Sequence, residues 1–95
     1  MTTIHSYIST PGEILLEEFL EPMGISQYRL AKAIGKPQSA ISDIVNGRRG
    51  ITAEMAWLLG QALGTTPQFW LNLQSTYDLK TLNTSKLPHV EALAG

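Results

Sequence analysis

In the run from Ser26 to Gly50, SQYRLAKAIGKPQSAISDIVNGRRG, the side chains able to do chemistry are amides, hydroxyls and cations. Gln38 carries an amide fork that matches the N6 and N7 edge of an adenine. Ser39 and Ser42 offer hydroxyls for bases or phosphates, while Lys36, Asn46, Arg48 and Arg49 suit phosphate oxygens. Gln27 falls at the start of a preceding helix, where its side chain and the free backbone amides favour a phosphate. Asp43 is the one acid in the run. Three roles stay open for it: accepting from a cytosine N4 amine, repelling wrong sites, or pairing with Lys36 or Arg49. Arg29 and Lys32 are either solvated or paired with glutamates earlier in the chain. The chemistry on offer is contact with the groove and phosphates of a duplex.

Such residues need two short helices to hold them. Ser26 is placed to cap the first, from about Gln27 to Ile34, and Gly35 ends it in a left-handed conformation. Pro37 stops that helix and suits the first turn of the next, which runs to about Asn46 before Gly47. Leu30, Ala31 and Ile34 line the inner face of the first helix; Ile41, Ile44 and Val45 line that of the second. Ser39, Ser42, Asp43 and Asn46 are left on one outer face. A helix, a glycine turn and a second helix with a polar outer face form the helix-turn-helix pattern of DNA readers.

Around this unit the sequence predicts three further helices. Thr10-Pro11-Gly12-Glu13 has the form of a capping box, opening a helix to about Pro22 with Leu15, Leu16, Phe19 and Leu20 inward. Glu13, Glu17 and Glu21 recur at i+4 spacing on its outer side with Glu18 nearby, either a solvated face or a docking strip for a basic partner. Beyond the pair, Thr52 caps a helix to about Leu63. Ala53, Ala56 and Gly60 give that helix a small-residue face, and Gly60, costing about 0.8–1 kcal/mol against alanine, implies close packing. Thr66-Pro67 begins a fifth helix reaching Leu79 or slightly beyond. It has two apolar sides: Phe69, Trp70, Leu73 and Tyr77 on one, and Leu71, Leu79 and Leu82 on roughly the other. One side suits the core. The other suits a second copy of the chain or a C-terminal tail folded over it.

The expected organisation is an arm over 1–9, an all-α domain over 10–80 and a polar tail over 81–95. With 95 residues, 43% hydrophobic and 16% charged, one globular domain is expected. No apolar run approaches the ~20 residues of a membrane span. The start, MTTIHSYISTPG, lacks the basic and apolar blocks of a secretory signal, and there are no cysteines. A cytoplasmic location is the expectation. The formal charge of −1 looks wrong for a DNA binder until its distribution is read. Five of the seven Lys and Arg lie within residues 26–50, whereas four of the eight acids lie between Glu13 and Glu21. His5 and His89 lie in the two end segments. No phosphate loop or metal-ligand spacing is present, so neither an enzyme nor a cofactor is expected.

The run from PGEILLEEFLEPMGISQ through the helix-turn-helix to FWLNLQSTYDL, residues 11–79, resembles the HigA-type antitoxins of bacterial toxin–antitoxin systems, within the Xre/Cro-like superfamily. The motifs PGEIL, EFLEPMGISQ and FWLNLQ carry the resemblance; the helix-turn-helix alone indicates only the superfamily. It implies a five-helix, lambda-repressor-like domain that binds operator DNA in its own promoter as a homodimer. It also implies neutralisation of a small basic RelE-like toxin that cleaves mRNA. Glu13, Glu17 and Glu21 are the expected toxin contacts, and Leu71, Leu79 and Leu82 the expected dimer contacts. Two other readings remain: a stand-alone transcriptional regulator without a toxin, and a toxin-binding module that has lost DNA binding.

Overall fold

The computed structural model describes residues 9–94; the expected arm over 1–9 lies outside them except for Ser9. Five helices and no strands form the described part. The first helix, α1 (residues 11–23), opens as expected: Thr10 Oγ1 accepts from the Glu13 N–H at 3.1 Å, and Glu13 Oε1 accepts from the Thr10 N–H at 2.8 Å. Its interior departs from expectation. It is α-helical over Pro11–Ile14, π-helical over Leu15–Leu20 and α-helical again over Glu21–Met23. The Glu21 N–H reaches back five residues to the Leu16 carbonyl. Pro22, directly after, has no N–H to offer and its ring crowds the preceding turn of an α-helix. Leu15 and Leu20, five apart, are accordingly the two fully buried side chains of this helix.

The next elements follow the sequence closely. Ser26 caps α2 (Gln27–Ile34) by accepting from the Arg29 N–H at 3.0 Å, and Gly35 ends it at φ 70°. The following helix, α3 (Gln38–Val45), starts one position later than expected. Pro37 is its N-cap, with ψ 148°, rather than a residue of its first turn. Thr52 caps α4 (Ala53–Leu63) and Thr66 caps α5 (Pro67–Thr81), each through its hydroxyl. Gly60 is close-packed, but against its own chain: a Cβ there would lie 2.8 Å from the Thr65 carbonyl oxygen. The bend it permits folds α5 back along α4.

Trp70 anchors the core. It is fully buried, its indole N–H donates to Thr65 Oγ1 at 2.6 Å, and its ring lies 5.0 Å from both Phe19 and Phe69. Leu15, Leu20, Leu30, Ile41, Ile44, Leu59 and Met55 are among the buried residues clustered with it, so every helix contributes. The tail beyond Thr81 does not fold over α5. A single 3₁₀ turn, Thr84–Lys86, interrupts a segment that is exposed along its described length. No helix among the described residues is long and apolar enough to cross a membrane.

Candidate nucleic-acid interface

The outer face of α3 is held in place from three sides. At its rear, Gly12 of α1 meets the main chain of α3; a Cβ on Gly12 would collide with the Ile44 carbonyl and come within 2.9 Å of the Val45 Cα. On its inner face Ala40, Ile41 and Ile44 are buried against the core. After its C-terminus the loop Arg48–Gly50 is tied down from α5: Gln74 Oε1 accepts from the Ile51 N–H at 2.8 Å. Gly50 fits closely there, since a Cβ would stand 3.3 Å from the Gln74 amide. Gly12 and Gln74 are positioning residues that sequence reading missed. Nothing in the sequence marked the approach at Gly12, which reads there simply as part of a capping box.

Gln38 and Ser39 are exposed at the leading end of α3, and neither side chain is engaged by the described residues. Ser42 and Asn46 are brought together instead. Asn46 Nδ2 donates to the Ser42 carbonyl at 2.9 Å and to Ser42 Oγ at 3.2 Å, closing the last turn. Gln27 is half-buried at the start of α2. Of the roles left open for Asp43, pairing is what the structure displays. Its carboxylate lies 3.3 Å from Arg48 Nε and 3.4 Å from Arg49 Nη2. Lys36 does not pair with it. The Lys36 ammonium reaches Glu54 of α4 at 2.9 Å. Lys32 instead lies 5.9 Å from the centre of the Tyr28 ring. A cleft of about 350 Å³ opens between the starts of α3 and α4, bordered by Lys36, Ser39, Arg49 and Glu54.

The remaining predicted contacts divide. Glu17 and Glu21 are exposed with Glu18, whereas Glu13 is drawn into the capping box of α1. Leu79 and Leu82 are 72% and 49% exposed. Leu71 is half-buried against the core, so most of its surface is already used within the chain.

The all-α bundle and its helix-turn-helix are matched by known proteins. The helix-turn-helix family model covers residues 16–70. Antitoxin HigA of Pseudomonas aeruginosa, solved with the higBA promoter, is 42% identical with a TM-score of 0.84, over 93% of this chain and all of that one. The chain belongs to the HigA-type antitoxins. Antitoxin HigA-1 of Vibrio cholerae is 50% identical over 68 residues, which span 72% of this antitoxin and 64% of that relative. Virulence-associated protein I of Dichelobacter nodosus is also 50% identical, over 76 residues covering 80% and 70% of the two chains. About a third of each curated relative therefore lies outside the match. The five-helix lambda-repressor-like architecture expected of such an antitoxin is the one observed, and the family is one of non-enzymatic antitoxins and regulators.

Proposed function

We propose that this chain is an autoregulating antitoxin: a homodimer that reads operator DNA in its own promoter and neutralises a cognate small basic toxin of the RelE-like fold in the cytoplasm. One observation carries the DNA half. The unengaged Gln38–Ser39 end of α3 lies beside Lys36 and Arg49, with Arg48 on Asp43 further along, in a fold matching a HigA solved on promoter DNA. Gln38 and Ser39 meet base edges as α3 enters the major groove, while the cations and Gln27 contact phosphates and fix register. Ser42 and Asn46, bonded to each other at the far end, reach the flanking backbone.

The toxin half rests on family membership and charge. Glu17 and Glu21 stand exposed on α1, a different element from the cations of the DNA edge, so one molecule serves two partners of opposite sign. Titration of the full chain against a labelled duplex from its own upstream region, beside a random duplex of equal length, tests the first half. Tight, salt-sensitive, sequence-selective binding is expected; no affinity for either duplex would overturn it. Co-expression with the adjacent small basic gene product tests the second. Relief of growth arrest is expected, and persistent arrest despite soluble antitoxin rejects the toxin assignment.

A further inference from the structure

Three cations edge the α3 surface, and two carboxylates sit among them. Asp43 bridges Arg48 and Arg49 through its two oxygens, and Glu54 holds Lys36. The Asp43 contacts, at 3.3 and 3.4 Å, are longer than the ~2.7–2.9 Å of a tight charge-assisted bond. Arg48 and Arg49 keep 63% and 52% of their side-chain surface exposed. Each guanidinium also keeps donors in reserve, because Arg48 uses only Nε and Arg49 only one terminal nitrogen. A phosphate can therefore approach either arginine while Asp43 still holds its other edge. The loop backbone does not depend on this carboxylate: the Arg48 and Arg49 N–H groups donate to the Asp43 main-chain carbonyl at 2.8 and 3.2 Å.

We propose that Asp43 and Glu54 are built-in counter-charges that set DNA selectivity, holding the phosphate-binding cations in place for a seated operator and weakening their grip on random duplex. The proposal rests on the DNA reading above and names what regulates that site. Non-specific binding is almost wholly cation–phosphate attraction, so any carboxylate beside those cations opposes it directly. Operator binding adds base contacts, which require α3 in one register. There the carboxylates return part of what they cost, by orienting the fork of each arginine before phosphate arrives. Removing a carboxylate should thus help the wrong sites more than the right one. Sequence reading had singled out Asp43 as an acid on a DNA face but gave no role to Glu54.

The test is binding of wild type, Asp43→Asn, Glu54→Gln and a control, Glu18→Gln, to operator and random duplex across a salt series. Asp43→Asn should raise random-duplex affinity by roughly three- to tenfold, Glu54→Gln by less, and steepen the log–log salt slope by up to about 0.9 per released cation. The operator-to-random ratio should fall. Glu18→Gln makes the same change in net charge on α1 and should alter neither measure. Asp43→Glu, which keeps the charge, should restore the wild-type ratio, a rescue that a purely structural role for the loop would not require. Thermal unfolding followed alongside separates lost fold from lost pairing. If wild type binds its operator but both variants match it on random duplex in affinity and slope, or exceed it no more than Glu18→Gln does, the proposal is wrong. A wild type that binds no duplex would instead overturn the DNA reading itself.

Discussion

Gln38 and Arg49 show how differently two residues on one surface are prepared for a duplex. Gln38 is the first residue of α3, exposed, with its amide fork unengaged by the described residues. It has nothing to give up on meeting an adenine, and what it gains depends on which base it meets. Arg49 must share itself with Asp43, and the phosphate proposed for it is a charge common to every nucleotide. Gln38→Ala is therefore expected to cost about 1–3 kcal/mol on the cognate site and to relax preference at one position. Arg49→Ala should weaken all duplexes alike and flatten the salt dependence. Both follow from titrations on operator, singly mutated operator and random duplex; equal losses for the two variants on every duplex would remove the distinction. Ser42 and Asn46 stand between these cases: Asn46 Nδ2 is spent on Ser42, while the Ser42 hydroxyl, which accepts there, keeps its own proton to donate.

At the scale of the elements, what matters is the crossing that seats the recognition helix. Gly12 has no side chain because the α3 main chain occupies the place where one would go. Gly12→Ala must push α1 and α3 apart or shift both, and overpacking of this kind costs roughly 1–3 kcal/mol or more. The expected result is a lower denaturant midpoint together with weaker operator binding, because α3 loses its seat. Unchanged stability and affinity would mean that the two helices do not pack this closely in solution. Sequence could not reveal this contact: the glycine sits in a capping box, where its absence of a side chain carries no message. Caps and turns were legible for the opposite reason. Ser26, Thr52 and Thr66 each accept from the N–H three residues on, and Gly24, Gly35, Gly47 and Gly64 each take a positive φ after a helix, all through local interactions. The π-helical interior of α1 was not legible, because apolar residues at spacings of four and five coexist in LLEEFL and only packing selects between them. Of the site, the cations and the helix face were legible from type and spacing. The Asp43–Arg49 pair was among the roles left open, but the Lys36–Glu54 pair was not legible, since Lys36 lies in the turn before α3 and Glu54 on α4, 18 positions apart in sequence.

The whole molecule is polarised in two ways, by charge and by unfinished apolar surface, and the second bears on the proposed homodimer. Trp70 and Leu73 turn α5 into the core, and Leu71 is drawn partly with them, whereas Leu79 and Leu82 remain largely in solvent with no tail over them. Exposed leucines at the end of a helix in so small a domain suit a self-complementary contact about a two-fold axis. Such a contact would present two copies of α3 to successive major-groove faces, about 34–36 Å apart on a palindromic operator. Leu79→Glu combined with Leu82→Glu places charges on that surface while leaving the core untouched. The doubly substituted chain should keep wild-type helicity, melt cooperatively at a temperature independent of protein concentration, sediment as a monomer, and bind a full operator about as weakly as a single half-site. Leu71 is excluded from this test because its substitution would also disturb the core, so lost binding could not be assigned. Retention of the dimer by the double variant would place the self-contact elsewhere on the surface. A wild type that is itself monomeric at micromolar concentration, yet binds operator non-cooperatively, would remove the dimer from the mechanism altogether.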